Sequence, residues 1–167
     1  MLDNSIKYLF LIILMGLSYD GLLGQINLTL AGNWNFSVPS NDITEAGLDF
    51  TGIYSSNTNQ VLIDITNANN SNGNFRWRVD IRKSDVDWDA NLELYAQRTG
   101  NGTSLSGNAN NINGGNNFQQ VIDSDQTFFS GRRARVDIPV QYEIRNVSVL
   151  LPAKTYETTI IYTVTEL

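Results

Sequence analysis

Apolar and polar residues alternate with a period of two along most of the chain from Gln25 onward, the spacing that sets every second side chain on one face of a strand. Ile26, Leu28 and Leu30 alternate with Asn27 and Thr29. Trp34, Phe36 and Val38 repeat the pattern after Gly32. Val61, Ile63 and Ile65 form a third run, and Phe75, Trp77, Val79 and Ile81 a fourth, with Arg76, Arg78, Asp80 and Arg82 on its opposite face. Leu92, Leu94 and Ala96 make a fifth. In the last third, Val136, Ile138, Val140, Tyr142 and Ile144 define one strand, and Tyr156, Thr158, Ile160, Tyr162 and Val164 another. Pro139 interrupts the first of these two and predicts a sheet edge there, because proline cannot donate to a ladder.

Clusters rich in Asn, Ser and Gly separate the runs at residues 55–59, 67–74 and 106–117, and Pro152 marks a further turn at 150–154. Asn and Gly tolerate the positive φ that tight turns demand. About eight or nine short strands at this spacing predict an all-β fold, a single antiparallel β-sandwich of Ig-like or pilin-like type. Residues 100–117 form the longest polar stretch, and its Gly and Asn content reads as a mobile, solvated loop.

The first 24 residues differ from the rest. Lys7 precedes an unbroken apolar run at residues 8–17, as in the charged and hydrophobic parts of an export leader, and the run is too short to span a bilayer. Cleavage after Ser18 or after Gly24 is compatible with the residues there; Gly24 is preferred because alternation begins directly after it. The alternative is a buried N-terminal helix or strand. The domain division is therefore a signal peptide at 1–24 and a sandwich at 25–167, in a chain that is secreted, periplasmic or displayed at a cell surface and is not transmembrane once cleaved.

Composition narrows the chemistry. The chain has 167 residues, 41% of them hydrophobic, with no cysteine and no histidine. Disulfide frameworks, thiol catalysis and serine–histidine triads are thereby excluded. The net charge is −6; without residues 1–24, eleven basic and seventeen acidic side chains become ten and fifteen, a net charge of −5. A nucleic-acid backbone is a poor partner for such a surface.

Asp85, Asp87 and Asp89 match the opening of a calcium loop, but Ala90 stands where the loop needs Gly and Ala96 where it needs a bidentate Glu, so an acidic turn is the preferred reading. No pair of carboxylates stands out for glycoside hydrolysis. Arg76, Arg78, Arg82 and Lys83 on one strand, and Arg132, Arg133 and Arg135 later, offer basic clusters that neighbouring aspartates balance. Trp34 and Trp88 are candidates for stacking on a glycan, whereas Trp77 shares its face with core residues. Asn27, Asn35, Asn69, Asn101 and Asn146 open glycosylation sequons, as chance predicts in so Asn-rich a chain. No catalytic, cofactor-binding or metal residue is assigned, and the chain does not read as an enzyme.

The ending at residues 138–167, with Pro152, Ala153, Thr155, Tyr156, Thr158, Ile160, Tyr162 and Val164, resembles the last strands of secreted pilin-type sandwiches of the spore-coat-U and chaperone–usher group. Gly47, Leu48, Asp49 and Phe50 followed by residues 61–65 are similar to an earlier part of that pattern. Lys154 stands where glycine is common, and the cysteine pair of many such subunits is missing. The resemblance implies a bacterial surface, adhesive or filament subunit with protein partners, including copies of itself, in which an incomplete sandwich accepts a neighbour's strand. Residues 25–30 are then either a donor strand or the first strand of their own domain. The alternative function is a carbohydrate- or matrix-binding domain without catalysis.

Overall fold

The computed structural model describes the backbone of residues 6–12 and, with their side chains, residues 25–39, 42, 49–50, 52–68, 74–107 and 112–167. Among the described residues thirteen strands follow one another: β1 (Ile6–Ile12), β2 (Ile26–Ala31), β3 (Asn35–Val38), β4 (Tyr54–Ser55), β5 (Val61–Asn67), β6 (Arg76–Asp87), β7 (Glu93–Arg98), β8 (Thr103–Ser104), β9 (Asn113–Gly114), β10 (Gln119–Gln120), β11 (Gln126–Arg132), β12 (Arg135–Arg145) and β13 (Thr155–Glu166). Four of them, β4, β8, β9 and β10, are two-residue bridges. Of the other nine, β1 falls in the segment read as a leader, and the eight after residue 24 agree with the eight or nine that alternation predicts.

The strands form two packed sheets, an all-β sandwich. One runs β3-β1-β13-β6-β11-β9; the other runs β10-β7-β12-β5-β2, with β4 and β8 also pairing β12. Every pairing is antiparallel except β1 with β13. The inward residues are those the period-two pattern selects: Val61, Ile63 and Ile65, Trp77, Val79 and Ile81, Leu94 and Ala96, and Tyr156, Ile160 and Tyr162 are all fully buried. Each large apolar side chain so buried contributes roughly 1.5–3 kcal/mol of transfer free energy. Near the middle, the Tyr142 and Tyr162 hydroxyls bond to each other at 2.7 Å. That contact satisfies two polar groups that burial would otherwise leave costly. Burial holds both phenols above their usual pKa.

Three expectations need correction. Pro139 is not at an edge, since β12 lies between β5 and β7. In antiparallel pairing a residue's N and O point to the same neighbour. The Pro139 carbonyl accepts from the Thr99 N–H just past the end of β7, so its nitrogen also faces the side where β7 stops. No ladder donor is lost on the β5 side, and Gly100, where a Cβ would lie 2.9 Å from the Pro139 ring, makes room for it.

Val136 is not a core residue either. The β12–β5 register slips between Arg135 and Ile138, and Asp137 takes a φ of 57° at this bulge, donating its N–H to Asp64 Oδ1 at 2.8 Å. The extra residue reverses inside and outside, so Arg135 is buried and Val136 only partly so.

The stretch at 100–117 is anchored wherever it is described. Thr103–Ser104 and Asn113–Gly114 pair with β12 and β11, and Ile112 is buried. Arg98, only 7% exposed, gathers this stretch: Nη1 donates to Gly100 O (2.7 Å) and Asn101 Oδ1 (2.6 Å), Nη2 to Ile112 O and Gly114 O, and Nε to Gly114 O. A polar composition concealed an arginine-centred knot of backbone carbonyls.

Candidate functional site

The first part of the apolar run that reads as an export leader, residues 8–12, lies inside the first sheet. β1 is flanked by β13 on one side, with Lys7 to Ile12 in parallel register with Thr155 to Ile160, and by β3 on the other, with Ile6 to Leu9 antiparallel to Val38 to Asn35. The register sets Tyr8, Phe10 and Ile12 level with Tyr156, Thr158 and Ile160, three fully buried residues of β13. Among the described residues β3 has no other ladder partner. Residues 8–12 of the leader-like segment thus belong to the strand between β3 and β13, and residues 13–24, with both candidate cleavage points, lie outside the described residues.

β3 is tied to the fold by more than β1. Trp34, just before it, stacks on Tyr142 of the second sheet with ring centroids 6.3 Å apart and planes 15° apart. Phe36 packs on Trp34 at 5.9 Å and on Tyr54 at 4.7 Å. The Tyr54 hydroxyl donates to Asp42 Oδ2 at 2.9 Å, and burial together with that carboxylate raises its pKa well above the usual phenol value. These aromatic contacts cross from β3 to the opposite sheet and do not involve β1. They make β3 one wall of a slot whose other wall is β13.

The remaining candidates scatter. Trp34 is only 5% exposed and Trp77 fully buried, while Trp88 packs beside the core with its Nε1 donating to Leu92 O at 2.9 Å. None of the three offers a flat exposed ring to a sugar. Asp85 accepts from Lys83 and from the Thr158 hydroxyl, Asp87 pairs with Lys154, and Asp89 caps its turn through the Asn91 N–H. Each carboxylate therefore serves a different contact, and among the described residues no three His, Cys, Asp or Glu side chains gather as a metal ion requires. The hydrogen bond to Asp87 raises the Lys154 pKa, with Asp89 adding to the effect.

The basic clusters are mostly engaged. Arg78 pairs with Asp80 at 3.0 Å and Arg82 with Asp125 at 3.4 Å. Arg133 and Arg135 donate to the carbonyls of Ser106 and Asn101, both at 2.7 Å. Asn27, Asn35, Asn101 and Asn146 are exposed; Asn69 lies outside the described residues, as do Gly47 and Leu48. Asp49 accepts from the Val149 N–H and the Ser148 hydroxyl, both at 2.8 Å, and these bonds hold its carboxyl below the usual pKa. It thereby fixes the β12–β13 turn, whose Leu150 is 88% exposed.

Residues 25–30 fall almost wholly within β2, which pairs antiparallel with β5 from Ile26 opposite Asn67 to Ala31 opposite Leu62. In this chain they are a strand of their own sandwich, on the outer edge of the second sheet. Among the described residues no helix is long and apolar enough to cross a membrane. Comparisons with protein-family models, curated proteins and solved structures found no match to this chain. Sequence reasoning missed the slot, because alternation marks which residues face inward but not which strands are neighbours.

Proposed function

We propose that this chain is the precursor of an exported surface or filament subunit, that residues 1–24 are removed on export, and that the vacated slot between β3 and β13 then accepts a strand from a neighbouring protein subunit. The observation that carries the reading is a coincidence of roles: the segment with leader character is also the strand between β3 and β13. Its loss strips β3 of its ladder and bares those N–H and C=O groups of residues 155–160 of β13 that point away from β6. Such an unpaired edge is a template for strand addition.

An incoming strand would gain backbone hydrogen bonds on both sides and would bury alternate apolar residues at the positions level with Tyr156, Thr158 and Ile160. Backbone pairing supplies affinity there and alternation supplies register. The aromatic contacts of Trp34 and Phe36 keep β3 in place to receive it. Because β2 belongs to its own sheet, the donor is a strand of another chain rather than residues 25–30 of a chain that keeps its own fold.

Light scattering across concentration tests this. The full chain, its slot occupied, is expected to take up no strand-mimicking peptide, whereas a chain of residues 25–167, with no spare strand of its own, is expected to associate through its open edge until such a peptide fills the slot and disperses it. A 25–167 chain that remains a stable monomer with an intact sheet edge overturns the reading.

A further inference from the structure

The outer face of the first sheet carries like charges set directly opposite each other at both of its ends. At one end Arg76 of β6 faces Arg132 of β11; at the other Asp87 of β6 faces Glu157 of β13. Like charges in directly opposed ladder positions destabilise a sheet unless something compensates them. Lys154 pairs with Asp87. No ion pair joins Arg76 or Arg132 to a carboxylate among the described residues.

Each charge pair has an exposed apolar neighbour. The β6–β13 register slips between Glu157 and Thr158, where Glu157 faces Asp87 and Thr158 faces Asp85, so Val86 is an unpaired bulge residue and is 65% exposed. At the basic end the Leu167 N–H bonds to the Arg76 carbonyl, and the Leu167 side chain is 63% exposed. β6 itself spans from one end to the other, so the two patches are about 36 Å apart at roughly 3.3 Å per residue.

We propose that these two ends form a head-to-tail contact between copies of this chain, with Arg76, Arg132 and Leu167 of one copy docking on Asp87, Glu157 and Val86 of the next. The complementarity is of both charge and apolar surface. The two patches are different surfaces of one molecule, so the contact is heterologous and propagates into a linear array rather than closing as a dimer. Glu157 belongs to the β13 wall of the slot, where it is level with Leu9, but the contact uses its side chain rather than its backbone and does not depend on strand addition.

The test uses the full chain, in which β1 fills the slot and strand exchange is silent. Sedimentation velocity is expected to show concentration-dependent association at about 20 mM salt that disappears at about 500 mM, as screening shortens the reach of exposed charges. The double variants Arg76→Glu/Arg132→Glu and Asp87→Lys/Glu157→Lys are each expected to lose self-association by on the order of 100-fold, because like charge then meets like charge. Mixed in equal amounts, they are expected to associate again, alternating along the array; this recovery also shows that both are folded. A full chain that stays monomeric at low salt, association indifferent to the reversals, or a mixture that fails to recover overturns the proposal.

Discussion

Replacing Arg98 by Met removes the guanidinium that gathers residues 100–114 while keeping a side chain of similar length. Five hydrogen bonds are lost, reaching four acceptors: the carbonyls of Gly100, Ile112 and Gly114, and Asn101 Oδ1. At about 1 kcal/mol per acceptor the gross loss is roughly 4 kcal/mol. Removing a buried charge, whose desolvation holds the Arg98 pKa below its ordinary value, returns about 1–2 kcal/mol of that. The expected net destabilisation is therefore about 2–3 kcal/mol. With an m-value of about 2 kcal/mol per molar, urea unfolding followed by far-UV circular dichroism should show the midpoint falling by roughly 1–1.5 M at unchanged slope. Arg98→Lys supplies charge without the planar fork and should recover less than half of the loss. A midpoint within about 0.3 M of the parent for Arg98→Met would refute the anchoring role and return residues 100–117 to the solvated loop that their composition suggests.

Gly131→Ala sets a Cβ 2.5 Å from two atoms of the fully buried Trp77 ring, so a loss of about 2 kcal/mol or more is expected in thermal unfolding, with a shift in tryptophan emission. Ile65→Ala opens a cavity at a fully buried site of β5 and should cost about 2–5 kcal/mol by denaturant titration. Asp49 bonds two groups of the β12–β13 turn, and the bonds it accepts from Val149 and Ser148 hold its folded pKa below that of an ordinary aspartate. Its stabilisation is thus fully present above the unfolded pKa and is lost as pH falls through the lower folded one; Asp49→Asn should lower stability near neutrality and converge on the parent as pH falls through that acid window, flattening the dependence of stability on pH there.

Much of the core was legible in the alternation, because burial on one face of a strand is a local property. Val61, Ile63, Ile65, Trp77, Val79, Ile81, Tyr156 and Tyr162 all face inward as their spacing requires. The misreadings share one cause, which is that neighbours in the sheet are set by long-range pairing. Pro139 breaks a local rule, yet β7 ends beside it and removes the conflict. Val136 has the right parity until the bulge at Asp137 reverses it. Arg98 falls at the inward parity of Leu94 and Ala96, where alternation expects an apolar residue, and its partners lie up to 16 residues later. The slot was the least legible feature, because residues 8–17 are apolar without interruption and show no period to distinguish a leader from a strand.

The account stands or falls on whether the groups along residues 155–160 are open once residues 1–24 are gone. The direct measurement is amide hydrogen exchange on a 25–167 chain, with and without a soluble peptide carrying residues 5–12. The account predicts fast exchange at those amides of Thr155–Ile160 that point away from β6 into the slot of the free chain, and strong protection of them with one equivalent of peptide. It also predicts no protection from a peptide in which Tyr8 and Phe10, level with Tyr156 and Thr158, are replaced by Asp. Full protection of those amides in the free monomer, unchanged by peptide, would contradict it.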